Sequence, residues 1–308
     1  MSQQARTGYA LAVVAAVISG VAIFVNSLGV KLFADSTTYT TLKNGVVGLL
    51  VLVPLLALPG PRSELSRLGR RQWSWMLVLA VIGGSVPFLL FFRGLQLSNA
   101  VSGSLINHLQ FAVVAVLAAV VLRERIPAAM WVGLVALLAV TNIGINLGVV
   151  KLNPGTAMLI ASTVLFAAGF VLAKHLLKGL STTTVMAARM TIGAALLVIY
   201  SMVTGHLSGV GHLRADQWQF VLVTALILFA FTATTLAAIK RIPVTAVIAI
   251  AMAAPLVTVS VQALYSGRLR LAPVATLNLV FTFVVVMAIV VVGLREGRSS
   301  RTPASLTV

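Results

Sequence analysis

One stretch of the sequence gathers side chains able to bind a solute or exchange a proton inside an otherwise apolar run. Ser104, Asn107, His108 and Phe111 fall at i, i+3, i+4 and i+7 within residues 100–122. On a helix that spacing puts a hydroxyl, an amide, an imidazole and an aromatic ring on one face. Gln110 lies on a neighbouring face. His108 stands alone among the histidines in lying well inside an apolar run, and imidazole titrates near neutral pH. Such a face can contact a substrate or act as hydrogen-bonding glue between helices, and the residue types admit both.

Other candidates are scattered along the chain. Ser19 and Asn26 share one face of the first apolar run, as cavity or packing residues, and Thr232 and Thr235 follow Phe231 in a later one. Met252 occupies the position that corresponds to His108 in the second half of the chain. Pro255 frees a backbone carbonyl one turn earlier, and Pro87 follows Gly83-Gly84, so both mark bends or hinges. Arg93 and Gln96 sit near the end of a run, where the arginine either snorkels to the headgroups or guards an outer gate. Lys43 and Arg189 recur near helix starts, as anchors of a helix end or as substrate contacts. Phe88, Phe91, Phe92, Phe166 and Phe170 could receive an apolar or aromatic substrate, or pack against helices and lipid.

Enzyme chemistry lacks its parts. The five acids, Asp35, Glu64, Glu124, Asp216 and Glu296, all map to connections, interfaces or the tail. Without a carboxylate at depth, exchange of protons for a cationic drug loses its usual centrepiece, although a multidrug or cationic-compound efflux carrier stays as the alternative reading. There is no cysteine, no HExxH, no Gly-x-Ser-x-Gly and no P-loop, so no metal site, cofactor, activated nucleophile or direct ATP drive is expected. Glu124, between Arg123 and Arg125, is expected to pair with a neighbouring cation or to cap the helix that follows.

The elements that must hold these residues follow from composition. Sixty per cent of the 308 residues are hydrophobic and 9% charged, more apolar surface than a soluble core of this length can bury. A helix needs about 20 apolar residues to cross a bilayer. Ten tracts qualify, numbered here as spans 1 to 10: 8–30, 40–58, 73–92, 100–122, 128–150, 155–173, 185–203, 218–239, 244–264 and 274–294. The first is longer than a signal-peptide core and reads as a retained helix.

The excess of 22 Lys and Arg over 5 acids is spread through short connections, a membrane-loop pattern with no basic stripe for nucleic acid. With the N-terminus inside, fourteen basic residues fall in cytoplasmic segments and six on the opposite side. Both termini are therefore expected in the cytoplasm, in a multi-pass inner-membrane protein. The chain also looks duplicated: Ser36-Thr37-Thr38 recurs as Ser181-Thr182-Thr183, and Lys43 is echoed by Arg189. Five helices per half, an odd number, make the second half enter the bilayer upside down, a frequent basis for alternating access. The expected organisation is an all-α membrane protein of two inverted five-helix repeats, residues 1–150 and 151–296, with a disordered cytoplasmic tail at 297–308. Its partners would be the lipid bilayer and a small-molecule substrate, with or without a coupled ion, in a monomer or homodimer.

Gly94-Leu95, Ser98-Asn99-Ala100-Val101-Ser102, Leu109, Leu122-Arg123-Glu124-Arg125-Ile126 and Gly133 follow one another at a spacing that resembles the EamA-type repeat of the drug/metabolite transporter superfamily. The chain departs from that pattern at Phe111, where the family carries proline, and at Arg268, where it carries glutamate; the second copy keeps the proline as Pro255. The resemblance implies a secondary-active carrier of an amino acid or similar metabolite, many such carriers working outward. It also implies a central cavity lined mainly by spans 1, 3, 4, 6, 8 and 9. A passive channel or scaffold explains the duplication less well.

Overall fold

Polar caps set where the spans begin. In the computed structural model, Asp35 accepts from the Thr38 amide at 3.1 Å and starts a helix over Ser36–Ala57. Ser181 accepts from the Thr184 amide at 3.2 Å and starts Thr182–Val203. Asn153 and Thr156 form a reciprocal capping box ahead of Pro154–Leu176. Each cap satisfies amides that the first turn leaves without a partner.

The structure describes residues 2–98, 106, 108–124, 126, 128, 130–132, 134–135, 139, 153–267, 280 and 283–284, and every element assigned among them is helical. Seven helices are long and apolar enough to span a membrane: Gln3–Leu32, Ser36–Ala57, Arg70–Leu97, Pro154–Leu176, Thr182–Val203, Ala215–Arg241 and Val244–Ser266. These contain the tracts of spans 1 to 3 and 6 to 9, and Leu109–Leu122 gives part of span 4. The tracts of spans 5 and 10 lie outside the described residues but for isolated positions. The outer faces of the seven spanning helices carry Val13, Leu49, Val53, Ile199, Val203, Leu226 and Leu264 in the open, as expected of surfaces that meet lipid. A short helix, Pro59–Ser66, links spans 2 and 3.

Span 1 packs along spans 8 and 9, span 2 along span 7, and span 3 along span 6. The tightest crossing joins spans 3 and 7. A Cβ on Gly84 would meet the Arg189 carbonyl oxygen at 1.8 Å, so only glycine lets the two backbones touch there. Ala80–Ser85 forms a π-helical turn just before Pro87, and a second such turn, Ala188–Ile192, holds Arg189. Proline has no amide hydrogen to give its i−4 carbonyl, which here is Gly83. That freed oxygen accepts from Arg189 Nε at 2.9 Å. Span 9 is interrupted at Met252 and Ala253, directly before Ala254 and Pro255.

Two half-buried glutamates tie one repeat to the other. Glu124 accepts from the Val244 amide at 3.1 Å and from Thr245 Oγ1 at 3.0 Å, so it caps span 9. Where a neighbouring cation or the start of span 5 is the partner expected from the sequence, the described contacts are with span 9: Arg123, at φ 55°, turns the chain so that the carboxylate meets its open amides. Glu64 does the same for span 7, accepting from the Ser181 amide at 2.9 Å and Thr184 Oγ1 at 2.7 Å. At the other end of that pair, Thr38 donates to the His206 carbonyl at 2.8 Å, and His206 Nε2 lies 3.7 Å from Asp35.

Candidate functional site

Eight helices surround a cavity of about 110 Å³. Span 1 contributes Ser19, Ile23 and Asn26, span 3 Phe88, Phe91 and Phe92, span 6 Phe166 and Phe170, span 8 Leu228, Phe231 and Thr235, and span 9 Val247, Ile248 and Ala251. Gln110 comes from span 4. Spans 2 and 7 give one residue each, Lys43 and Arg189. The wall therefore draws on both repeats.

The two cations are the most deeply placed charges among the described residues, with Lys43 1% and Arg189 2% exposed. Lys43 Nζ donates to Asn26 Oδ1 at 3.0 Å and lies 3.5 Å from the centre of the Phe92 ring. Asn26 is fixed in turn, donating to the Ala22 carbonyl at 2.7 Å and accepting from Tyr39 Oη at 2.7 Å. Across the cavity, the Arg189 guanidinium lies over Phe170 at 4.6 Å and near Phe166 at 5.9 Å. Ring faces carry negative potential and attract such cations. Phe88 bridges the groups, parallel to Phe92 at 6.2 Å and edge-on to Phe166 at 5.0 Å. Arg189 Nη1 and Thr235 Oγ1 are buried and have no hydrogen-bond partner.

These positions differ from the sequence reading of the cations as helix-end anchors. The Asp35 and Ser181 caps start the helices earlier than hydropathy did, at Ser36 and Thr182, so each cation lies two turns inside, about 10 Å along the axis. Ser19, Asn26 and Thr235 reach the cavity. Phe111 and Met252 pack in the core behind its wall, and Thr232 turns to the Met190 sulfur at 3.9 Å. Among the described residues of span 4, Gln110 lines the cavity, one position from the stripe chosen on spacing. Ser104, Asn107 and the His108 side chain lie outside what the structure describes. Arg93 is exposed and donates to Gln96 at 2.8 Å, while Gln96 donates to the Phe33 carbonyl at 3.3 Å, so this pair braces a helix end away from the cavity. Pro87 and Pro255 stand at the bent segments of spans 3 and 9. Among the described residues no His and acid cluster could hold a metal.

The sequence profile of the EamA-like transporter family matches the chain twice, over residues 6–143 and 153–294. Among solved structures, one crystal structure is similar over 92% of this chain and 98% of its own, with a TM-score of 0.64 and 17% identity, a likeness of fold alone. No curated protein matches the sequence.

Proposed function

The chain belongs to the EamA-like transporter family, and from that premise we propose that it is a secondary-active carrier that moves a small metabolite through the central cavity by alternating access. The observation that carries this reading is the wall itself: Asn26, Lys43 and Phe88 of one repeat face Phe166, Arg189 and Thr235 of the other. Rocking one repeat against the other would expose such a site to either side in turn. With ten spans, inverted repeats and both termini in the cytoplasm, Glu64 and Glu124 lie at the cytoplasmic end and Asp35 and His206 at the outer end. Family members are transporters rather than enzymes, and the direction taken from the resemblance is outward.

The test is flux in proteoliposomes of the purified protein, with labelled amino acids, purine derivatives, organic anions and organic cations offered one at a time. A carrier gives saturable, competable uptake that an internal pool of the same solute accelerates. Linear flux without that counterflow would mean a channel, and the alternating-access reading would be wrong.

A further inference from the structure

Two basic side chains, one of them an arginine that keeps its charge when buried, face one cavity, and none of the described residues that line it is an acid. Resting on the carrier reading above, we propose that the cavity is an anion site: the substrate is a small organic anion with a flat apolar body. Its acidic oxygens go to Arg189 and Thr235, and its body lies on Phe88, Phe91 and Phe166.

Arginine stays charged inside proteins and offers five N–H donors in a planar fork. In this protein the Gly83 carbonyl takes Nε, and the Phe170 and Phe166 faces lie beside the guanidinium. Nη1 is left buried with no partner, and so is the Thr235 hydroxyl. Buried polar groups are almost always satisfied, so two orphans in the wall of one cavity mark a missing partner. That partner must accept hydrogen bonds and carry negative charge. A carboxylate or phosphate meets both demands and fits the guanidinium fork.

Lys43 plays a different part. Its amino group already donates to Asn26 and lies against the Phe92 ring, whereas Arg189 Nη1 and the Thr235 hydroxyl have no partner at all. With Lys43 in the first repeat and Arg189 in the second, an anion between them attracts both halves, whereas a cation would be repelled by both. Water could occupy the space beside Arg189, but it would leave the guanidinium charge uncompensated. The cavity, about 110 Å³, suits a small ligand. The six phenylalanines of the lining favour a flat hydrocarbon or aromatic body over a sugar.

The chain has no cysteine, which allows a test that needs no known substrate. Ser19→Cys and, separately, Ala251→Cys place a thiol in the cavity wall. Each is reacted with sulfonatoethyl methanethiosulfonate, an anion, and with its trimethylammonioethyl counterpart, a cation, and the two rates are normalised to those of 2-mercaptoethanol. An anion site gives a preference for the sulfonate of about tenfold or more. Arg189→Gln in the same background should lower that preference several-fold, and phenylacetate should protect the thiol better than phenethylammonium. Equal rates, or preference for the cationic reagent at both positions, overturn the anion assignment even where Arg189→Gln fails to fold, because the ratio is read with Arg189 intact. If neither reagent reaches either thiol in membranes or detergent, the cavity is closed to water and the carrier reading falls first.

Discussion

Asn26 shows how a single amide can organise a charged site. Its Oδ1 receives both the Lys43 ammonium and the Tyr39 hydroxyl, and its amide group is tethered one turn back on its own helix. Removing one donor should cost less than removing the shared acceptor. Tyr39→Phe should lower stability by about 1 kcal/mol, the net worth of an ordinary hydrogen bond, while Asn26→Leu should cost on the order of 2 to 3 kcal/mol by stranding a buried charge. If the lysine is there for function rather than stability, Asn26→Leu combined with Lys43→Met should recover much of that loss, since a matched apolar pair commonly replaces a buried polar one without penalty. Thermal unfolding in detergent checks the order of the three variants, and flux should remain absent in the double variant. Recovery of both stability and flux would make Lys43 a packing residue.

Helix ends carry the ties between the repeats, and there a carboxylate acts through the amides of another helix. Burial tends to raise the Glu64 carboxyl, but the hydrogen bonds from Thr184 and Ser181 outweigh it and hold the group below its ordinary value. A carboxylate lowered in the folded state adds stability above the ordinary carboxylate range and loses it as pH falls through the lowered value. Unfolding scans between neutral pH and about pH 3 should therefore show a loss of stability in the wild type that Glu64→Gln removes. Glu124→Ala should cost about 0.5 to 2 kcal/mol as a lost cap, with Glu124→Gln milder because its carbonyl still accepts. If the acid limb of the scan is unchanged in Glu64→Gln, the carboxylate is not a cap of span 7. Neither tie was legible in the sequence, because a cap supplied from another repeat leaves no local spacing. The spans were legible: about 20 apolar residues between polar breaks is a signal any bilayer imposes. The cavity was half legible. Ser19, Asn26 and Thr235 follow from polarity at depth, but hydropathy counts lysine and arginine against a span. It therefore trimmed spans 2 and 7 at their starts and set Lys43 and Arg189 near helix ends, whereas the Asp35 and Ser181 caps place them in the interior.

At the level of the whole molecule, the distribution of ties suggests which helices move together. Spans 2 and 7 are joined at one end through Glu64 and at the other through Thr38 and His206. Between those ends Thr41 Oγ1 lies 2.6 Å from Ser201 Oγ, and Thr191 donates to the Gly48 carbonyl at 2.9 Å. Spans 4 and 9, by contrast, are joined among the described residues through Glu124, at the end where span 9 begins. A pair bonded along its length is costly to separate, whereas a pair bonded at one end can open there while its far end closes. Spans 2 and 7 should then serve as a fixed post about which the rest of each repeat rocks. In this cysteine-free chain, Thr41→Cys with Ser201→Cys brings two thiols close enough for a disulfide. Oxidation should leave flux within about twofold of the reduced protein, a change of under about 0.5 kcal/mol in the barrier. Glu124→Cys with Thr245→Cys, bridged by a short bis-methanethiosulfonate that restores the length of the lost glutamate, should stop flux, and reduction should restore it. Arrest by the first cross-link would mean that spans 2 and 7 slide past one another in the cycle. Unimpaired flux with the second would show that the Glu124 contact persists in every state and is a structural cap rather than part of a gate.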